Sequence, residues 1–423
     1  MISGGSFVKK KECRVCESKD LHRAVVLTPT PPGNNFLLEN ELHEEEELFP
    51  LELDFCDDCS HIQLGHVVDP SFLFQNDYSY VSATSSVFVD HLESYADHVT
   101  KLLDLEKDTL VIDIGSNDGT CLSFFKKKGM LVLGVDPATE IAKKATQDGI
   151  PTMAEFFCKE IAEEILKKDG KAGLVTSHNA CAHIDDLGSV IEGVEVLLEP
   201  EGIFVMEVGY FVDVFQNKWF DTIYHEHVDF HTVAPLKRLF SRFNLEIFRV
   251  ERISPQGGSI RVMVQREGGV RKIEDSVQGL IALEESLGLH SIESLYGFQE
   301  DINSLKNEFR TLLNNLKKDG KSIAAFGAPT KATTLCYHFG INKSDIDFIV
   351  DDNPMKQGLF SPGKHIPVFS SEKIYEEKPD YLLILAWNFS EPIMKKHIEY
   401  QDRIGTFFLP MPKPTLVKNN GNK

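Results

Sequence analysis

The stretch Leu110-Val-Ile-Asp-Ile-Gly-Ser-Asn-Asp-Gly-Thr120 decides the fold. The short apolar run at its start predicts a buried strand of a parallel sheet, and Gly115 and Gly119 predict a turn into a helix that begins near Cys121. Glycine lets the backbone approach a ligand closely, and the first amides of a helix are free hydrogen-bond donors. The sequence therefore predicts a nucleotide-binding turn here.

The residues after this turn narrow the choice of ligand. A second apolar strand, Leu131–Val135, ends in Asp136, about 20 residues after the turn, where a carboxylate can accept hydrogen bonds from ribose hydroxyls. The G-x-G-x-x-G spacing of a dinucleotide fold is absent, and Asp113 and Asp118 would repel a pyrophosphate. They suit a cationic ligand such as S-adenosylmethionine, which carries a sulfonium and an ammonium. The turn resembles the first motif of class I S-adenosylmethionine-dependent methyltransferases, and another nucleotide remains the alternative.

The composition is that of a soluble globular protein with two or three domains. The chain has 423 residues, 42% hydrophobic and 26% charged, and a formal net charge of −21, which argues against a nucleic-acid binder. The sequence has no apolar run long enough to span a membrane and no signal-peptide core within Met1–Lys11. We therefore expect a cytoplasmic protein with neither nucleic-acid nor membrane partners.

Two C-x-x-C pairs precede the central turn, and together they predict a metal site. They are Cys13-Arg-Val-Cys16 and Cys56-Asp-Asp-Cys59. Two such pairs complete a closed four-cysteine zinc site, which holds a small domain together and leaves no coordination position open for chemistry. A redox disulfide is the alternative, although it would need one C-x-x-C near a βαβ unit.

Strands and helices alternate after the turn, as in a doubly wound α/β domain. The pattern predicts the following elements: helices near Val87–Leu103, Glu140–Gln147, Lys159–Lys168 and Leu187–Leu198, and strands Ala172–Ser177, Gly202–Val208 and Ser259–Gln265. Asn179 and His183 follow the strand that ends at Ser177, so they are expected to face the cofactor. Residues 273–318 read as a helical connection, and strands Ser322–Phe326, Ile346–Val350 and Tyr381–Leu385 open a second α/β unit.

A polar cluster after the first α/β unit predicts proton transfer. It reads Asp221-Thr-Ile-Tyr224-His225-Glu226-His227-Val-Asp-Phe-His231. It does not match the H-E-x-x-H zinc motif, because position 229 is Asp. A metal bound by His225, His227 and His231, or purely structural histidines, remain alternatives. Acid–base catalysis is favoured, with His227 as the base because imidazole titrates near neutral pH.

Two further stretches are candidate substrate sites. Tyr78, Tyr80 and Ser82 cluster before a helix, where their hydroxyls could face a cleft or could cap and pack the helix. Gly327-Ala-Pro-Thr-Lys331 begins another helix and could receive a phosphate through amides and one ammonium, or could be a structural turn.

Together these motifs resemble one family over nearly the whole chain, the sugar C-methyltransferases that act on nucleotide-linked keto-deoxysugars. The resemblance rests on the cysteine pairs, the central turn, Tyr224-His-Glu-His227, Gly327-Ala-Pro-Thr-Lys331 and Asp352-Asn-Pro-Met-Lys-Gln-Gly358. It implies an α/β protein with three domains: a zinc-binding domain (1–75), a methyltransferase domain (76–252) and a C-terminal Rossmann-like substrate domain (253–423). Ala332 departs from the family, which usually has glycine there.

The resemblance also implies the chemistry. His227, oriented by Glu226, would remove a proton α to a ketone. Tyr224, with Tyr78 or Tyr80 and His225, would donate hydrogen bonds to the enolate oxygen. S-adenosylmethionine would supply the methyl group, and no catalytic metal is needed. The expected cofactor-binding residues are Asp113, Gly115, Ser116, Asn117, Asp118, Gly119, Asp136, Pro137, Phe156, Phe157, Asn179 and His183, and the expected substrate-binding residues are Ser82, Lys331 and Asn388.

Two other functions fit parts of the pattern. Methylation of nitrogen or oxygen would need no carbanion and therefore no α-proton abstraction. A non-catalytic binding module would use the same pockets without methyl transfer.

Overall fold

The computed structural model describes residues 7–70, 73, 82–84 and 86–417. The strands are β1 (Phe7–Lys9), β2 (Leu21–Thr30), β3 (Phe49–Cys56), β4 (Ile62–Leu64), β5 (His66–Val68), β6 (Leu110–Ile114), β7 (Leu131–Val135), β8 (Thr152–Met153), β9 (Ala172–His178), β10 (Leu198–Gly209), β11 (Asp229–Phe230), β12 (Leu245–Ile253), β13 (Ser259–Arg266), β14 (Ile323–Phe326), β15 (Ile349–Val350), β16 (Val368–Phe369), β17 (Tyr381–Ile384), β18 (Thr406–Leu409) and β19 (Thr415–Val417).

The helices follow the same order. They are α1 (Ser86–Leu103), α2 (Thr120–Lys127), α3 (Thr139–Gln147), α4 (Lys159–Asp169), α5 (Leu187–Leu197), α6 (Phe211–Asn217), α7 (Val233–Ser241), α8 (Asp275–Ser286), α9 (Ile292–Lys318), α10 (Thr330–Phe339), α11 (Lys373–Glu377), α12 (Ser390–Lys396) and α13 (Ile398–Arg403). None of these helices is both long and apolar enough to cross a membrane, a finding that covers the described residues.

The chain forms two compact units, each assembled from three separate segments. Unit 1 contains Met1–His22, Asp54–Val212 and Val228–Ile292, and unit 2 contains Arg23–Leu53, Asp213–His227 and Glu293–Lys423. Residues 221–227 of the polar cluster therefore belong to the same unit as the C-terminal part of the chain, whereas residues 228–231 belong to unit 1.

Unit 1 is built on a seven-stranded sheet in the order β12-β13-β10-β9-β6-β7-β8. The strands from β10 to β8 are parallel, and β13 pairs antiparallel with both β10 and β12. All five residues of β6 are buried, as expected for a parallel strand covered on both faces. On one face, α1 and α2 pack on the sheet through a core that includes Tyr95, Leu122 and Phe125.

Shorter strands complete unit 1 near the cysteine pairs. β1 pairs antiparallel with β5, and β4 pairs antiparallel with β11. These ladders fix the segment that carries the cysteines.

Unit 2 is built on a six-stranded sheet in the order β16-β15-β14-β17-β18-β19. The pairings are parallel from β16 to β18, and β19 closes the edge antiparallel to β18. The long helix α9 buries apolar residues at spacings of three and four, the pattern of one packed helical face. Its Phe309 ring lies 5.0 Å from the ring of Phe339 and 5.1 Å from that of Phe408.

The predicted α/β fold class is confirmed. The bounds of β6 and β7 are as predicted, and most helix ends agree within one or two residues. The helical connection predicted at 273–318 consists of two helices, α8 and α9. One predicted strand needs correction: Ile346–Val350 shortens to β15, because the Ile346 amide donates to the Asn342 carbonyl in a turn. In the acidic run at residues 44–47, Glu46 accepts hydrogen bonds from the Gly363 amide and from His365.

Candidate active site and metal centre

Four cysteine side chains of unit 1 converge. The sulfur atoms of Cys13 and Cys59 are 3.6 Å apart, as are those of Cys16 and Cys56, and all four lie within 4.8 Å of one another. Zinc–sulfur bonds of about 2.3 Å in a tetrahedron place neighbouring sulfurs roughly 3.8 Å apart. The geometry therefore fits a closed zinc site.

Both cysteine pairs use the same local turn. The amide of the fourth residue after the first cysteine donates to that cysteine's carbonyl: Glu17 to Cys13 at 2.8 Å, and Ser60 to Cys56 at 2.7 Å. Glu17 and Ser60 adopt left-handed φ angles of 63° and 61°, which are uncommon outside glycine. Hydrogen bonds among these side chains lower the pKa of Cys56 and raise the pKa of Cys13 and of Cys59, and zinc binds the thiolate form.

The central turn in unit 1 has the strained backbone that its glycines predict. Gly115, Asn117 and Gly119 have positive φ angles of 74°, 49° and 75°. A Cβ atom placed on Gly115 would lie 2.5 Å from the Cβ of Ala180. Glycine is therefore required at position 115 both by conformation and by space.

Asp136, at the end of β7, joins the central turn to the next one. One carboxylate oxygen accepts the amide of Asn117 at 2.8 Å, and the other accepts the amide of Ala138 at 2.9 Å. Burial raises the pKa of Asp136, and these two hydrogen bonds oppose that effect. Each oxygen retains a second lone pair that can accept a ligand hydroxyl. Pro137 lies between Asp136 and Ala138 in the sequence, in the turn that the hydrogen bond between these two residues closes.

The side chains of Asn117 and Asp118 hold the segment that precedes α1. The Asn117 carbonyl oxygen accepts the amide of Ser82 at 2.9 Å, and the Asp118 carboxylate accepts the amide of Ala83 at 3.0 Å. Asp118 also accepts the hydroxyl of Thr120 at 2.7 Å. Ser82 therefore lies against the cofactor turn within unit 1.

Unsatisfied polar atoms lie beneath this turn. Oδ1 of Asp113 is 3.7 Å from Nδ1 of His178, and among the described residues neither that oxygen nor either ring nitrogen of His178 has a hydrogen-bond partner. Burial raises the pKa of Asp113. Gly134 allows Ser116 to pack closely, since a Cβ there would lie 2.3 Å from the Ser116 hydroxyl oxygen. This polar environment fits the cationic cofactor that the sequence predicts.

The other expected cofactor residues lie at or near the carboxyl ends of β8 and β9. The Asn179 amide donates to the Glu207 carbonyl at 2.8 Å, and Asn179 has a φ of 57°. His183 ends a short 3-10 turn that begins at Cys181. Phe156 is 40% exposed, whereas Phe157 is buried and packs close to Gly193 of α5.

In unit 2, Tyr224 and His227 form a directly bonded pair. The Tyr224 hydroxyl lies 2.8 Å from Nε2 of His227, and Nδ1 of His227 lies 2.8 Å from the carbonyl oxygen of Thr222. A carbonyl oxygen only accepts hydrogen bonds, so Nδ1 carries the proton and Nε2 is the basic nitrogen. Burial, with a smaller contribution from Lys331, lowers the pKa of His227 to about 4. The imidazole is therefore neutral at physiological pH.

His225 and Glu226, which lie between Tyr224 and His227 in the sequence, contact other residues. Nε2 of His225 lies 3.3 Å from the carbonyl oxygen of Phe49, and its ring packs edge-on against the Phe49 ring. Glu226 accepts a hydrogen bond from the Asn34 side-chain amide at 3.1 Å. The orienting contact that the sequence assigns to Glu226 is made instead by the Thr222 carbonyl. Burial raises the pKa of Glu226 to about 7.

Lys331 and Asp221 both contact the side chain of Trp387. The Lys331 ammonium lies 3.6 Å from the centre of the Trp387 ring, and the indole N–H donates to Oδ2 of Asp221 at 2.7 Å. Asp221 is fully buried, and its Oδ1 has no hydrogen-bond partner among the described residues. Burial raises the pKa of Asp221 to about 6 and lowers that of Lys331 to about 8, while the two opposite charges moderate both shifts.

The turn before α10 does not offer its amides freely. The Ala328 amide donates to the Asp351 carboxylate at 2.6 Å, and the Lys356 ammonium donates to the Ala328 carbonyl at 2.7 Å. A carboxylate bound at this position would repel a phosphate. The amides of Gly327 and Ala328 are therefore already bonded, and the phosphate site at Gly327–Lys331 stays a prediction that would rest on the next amides and the Lys331 ammonium.

Two further residues of unit 2 that the sequence singled out, Asn388 and Ala332, are sequence neighbours of Trp387 and Lys331. Oδ1 of Asn388, next to Trp387, is buried without a hydrogen-bond partner among the described residues. Ala332 is buried and lines a small pocket with Phe36, Thr333 and Lys364. Tyr78 and Tyr80 lie outside the residues that the structure describes.

Sequence reasoning missed several residues of this cluster. They are Asn34, Thr222, Lys356 and Trp387, and the sequence indicated no role for Asp221. Lys356 lies in the Asp352–Gly358 motif, which was the one available signal. Asn34 carries no local signal, because its importance depends on its contact with Glu226, which is distant in the sequence. Thr222 carries none because it acts through its backbone carbonyl, which every residue type has.

The fold and the two sites define an S-adenosylmethionine-dependent methyltransferase with a zinc-binding segment. Three family models match the chain: a zinc binding domain at residues 13–74, a methyltransferase domain at 88–250 and a C-methyltransferase C-terminal domain at 254–412. The predicted cofactors, S-adenosylmethionine and structural zinc, are confirmed.

A similar protein of known class identifies the family within the methyltransferases. The chain is 34% identical over 406 residues to C-methyltransferase NovU of Streptomyces niveus, covering 96% of each sequence. The protein belongs to this C-methyltransferase family, which confirms the predicted enzyme class.

Solved structures match only part of the chain. Magnesium protoporphyrin IX methyltransferase from Synechocystis PCC 6803, with bound S-adenosylmethionine, has a TM-score of 0.33 and 15% identity, covering 45% of this chain and 87% of its own. The PH0226 protein from Pyrococcus horikoshii OT3 has a TM-score of 0.36 and 14% identity, and the match covers 44% of this chain and 95% of that protein.

Proposed function

We propose that this protein methylates the carbon next to the ketone of a nucleotide-linked keto-deoxysugar. The observation that carries the proposal is the Tyr224–His227 pair, in which the basic nitrogen of a neutral imidazole faces a phenol. Carbon next to a ketone becomes nucleophilic only after a base removes the α-proton, and C-methylation therefore requires a general base, which this pair can supply. Methylation of nitrogen or oxygen requires no abstraction of an α-proton.

The proton transfer assigns one atom to each role. Nε2 of His227 accepts the α-proton, and the electron pair of the broken C–H bond moves into the enolate. The Tyr224 hydroxyl, which bonds Nε2 in the ligand-free protein, turns to donate to the enolate oxygen and leaves the lone pair of Nε2 for the α-hydrogen. One such donor contributes roughly 10²–10³-fold to the rate. The low pKa of His227 keeps Nε2 unprotonated at neutral pH.

Cofactor binding is assigned to unit 1. Gly115, Ser116, Gly119 and the backbone around them form the turn, and Asp136 offers lone pairs to ribose hydroxyls. Phe156, Asn179 and His183 complete the proposed cofactor set. S-adenosylmethionine, when bound, supplies an electrophilic methyl group.

Glu226, Asn34 and Lys356 form a polar group suited to sugar hydroxyls. Lys356 contributes a stabilising charge to Glu226, and Asn34 donates to the same carboxylate. The tyrosines at 78 and 80 remain further candidates for contact with the enolate.

We also propose domain boundaries at residues 75 and 252. The three family-model matches, which leave 75–87 and 251–253 uncovered, support boundaries near these positions.

The test is hydrogen exchange at the substrate carbon. A thymidine-diphosphate-linked keto-deoxyglucose is incubated in D₂O with the enzyme but without S-adenosylmethionine, and deuterium at the α-carbon is followed by NMR. We expect exchange that requires His227, followed by carbon methylation when the cofactor is added. Methyl transfer to oxygen or nitrogen without exchange would contradict the proposal, as would ligand binding with neither reaction.

A further inference from the structure

The side chain of Lys331 is placed by two aromatic rings and one buried acid. Its ammonium lies 3.6 Å from the centre of the Trp387 ring, and that ring packs 4.9 Å from the ring of Trp219. These are the two tryptophans of the chain. A cation over an indole face is attracted by the ring quadrupole, and the attraction is stronger where water is excluded.

Asp221 fixes the other edge of the same indole. Its Oδ2 accepts the Trp387 N–H at 2.7 Å, while Oδ1 is buried without a hydrogen-bond partner among the described residues. A fully buried carboxylate is costly unless a positive charge compensates it. Lys331 is the charge that acts on Asp221, and Asp221 acts in return on Lys331. Trp387 therefore joins a buried acid to a cation.

The same short segment also carries the acid–base pair. Asp221 precedes Thr222, whose carbonyl fixes the tautomer of His227. The charge of Lys331 also reaches His227, where it disfavours the imidazolium. A cation beside a base opposes proton uptake unless a negative charge forms nearby at the same time. An enolate oxygen is such a charge.

From these contacts we propose that Lys331 is a catalytic residue that stabilises the enolate oxygen, and that Asp221, through Trp387, is a positioning residue that holds Lys331 in place and charged. This inference rests on the proposed function, since it assumes an enolate. It also gives Lys331 a role other than the phosphate binding that its place at the start of α10 suggests. Asp351 already accepts the Ala328 amide of that turn.

Several charged and titratable groups among the described residues surround this arrangement. Tyr224 and His227 lie on the segment of Asp221, and Lys331 is on α10 together with Cys336, whose pKa is raised by burial and also by the Asp221 charge. Glu226 follows on the same segment and is paired electrostatically with Lys356.

The first test needs no substrate, because both tryptophans lie at this site. Intrinsic tryptophan fluorescence is recorded from pH 5 to pH 10 for the wild type and for Lys331→Met, Asp221→Asn and the exposed control Lys318→Met. The wild type and the control should show transitions near the pKa of Asp221, about 6, and that of Lys331, about 8. Lys331→Met should lose the alkaline transition.

Asp221→Asn tests the coupling directly. Asparagine can still accept the indole N–H but carries no charge, so the alkaline transition should move to lower pH by about one unit, a tenfold change in the Lys331 proton affinity. An alkaline transition that stays in place in Asp221→Asn, or that persists in Lys331→Met, would overturn the inference. Trp387→Phe, which keeps a ring face and the Asp221 charge but loses the N–H, is the second positioning variant, and the alkaline transition read from Trp219 should move down by less than in Asp221→Asn.

The second test separates enolate stabilisation from substrate binding. The α-deuterium exchange of the thymidine-diphosphate-linked keto-deoxyglucose is measured at saturating substrate without cofactor. Lys331→Met should lower the saturated rate by about 10²-fold, and Lys331→Arg should restore most of it. A variant that raises only KM would assign Lys331 to ground-state binding and overturn the inference. A wild type that shows the fluorescence coupling but no exchange would instead contradict the proposed function.

Discussion

The cofactor turn of unit 1 and the acid–base cluster of unit 2 use polar residues in opposite ways. In the turn, Asn117, Asp118 and Asp136 bond mainly to backbone amides, and their positions follow from a strand, a glycine turn and a helix close in sequence. In the cluster, His225 and Glu226 find partners among residues 23–53, and Asp221 finds its partner in the C-terminal α/β part of unit 2.

This difference matters for chemistry. The turn uses carboxylates to fix the backbone, whereas the cluster buries acids and bases and so displaces their pKa values: those of Glu226 and Lys331 move toward neutrality, and that of His227 falls further below it. His227 moves to about 4, Glu226 to about 7 and Lys331 to about 8. Groups with displaced pKa values that gather at one place are typical of catalytic sites.

Removing the base should separate the two regions most sharply. We expect His227→Gln to lower turnover by roughly 10²–10⁴-fold, the usual contribution of a general base, and to leave the affinity for S-adenosylmethionine unchanged. Steady-state kinetics and calorimetric titration measure the two quantities. His290→Gln, at an exposed histidine, is the matched control. A loss of turnover below tenfold would show that His227 is not the base.

A substitution in the cofactor turn should weaken cofactor binding and leave proton abstraction intact. Gly115→Ala places a methyl group 2.5 Å from the Ala180 Cβ on a backbone with φ of 74°. Strain of about 1–3 kcal/mol should weaken S-adenosylmethionine binding by roughly 10–100-fold, while α-proton exchange without cofactor continues. Gly279→Ala, on a helix with open space around it, is the control and should leave binding unchanged. Equal affinity in Gly115→Ala and the wild type would contradict the role of this glycine.

The smallest expected effect is a pH-dependent change in stability when Glu226 of the cluster is replaced. The pKa of Glu226 is higher in the folded protein than the model-peptide value of about 4.5, so its stabilising contribution is complete below that value and is lost as the pH rises through about 7. Glu226→Gln should match the wild type at pH 4 and exceed its free energy of unfolding by on the order of 1 kcal/mol at pH 8. Urea unfolding at both pH values tests this. A variant that is less stable at pH 8 would contradict the sign.

Much of the fold could be predicted because its signals are local. The apolar run before Gly115, the acid at the end of β7 and the repeated C-x-x-C spacing each specify a structure within a few residues. β12 could not be predicted because Ile247 and Phe248 interrupt its alternation at an irregularity in the register. β15 is shorter than predicted because a turn at Asn342 includes the first residues. The histidine pair was found by composition, whereas the roles of His225 and Glu226 depend on Phe49 and Asn34, far away in the sequence.

The sequence by itself determined the α/β class, the cofactor turn, the four-cysteine centre and the segment that carries the acid–base residues, because strand periodicity, glycine conformation and ligand spacing act over short distances. Only the tertiary structure decided that Thr222 orients His227, that Asp351 occupies the turn before α10, and that Trp387 lies between Lys331 and Asp221. Burial and charge coupling depend on neighbours that folding brings from distant segments, and it is these neighbours that set the pKa of each group.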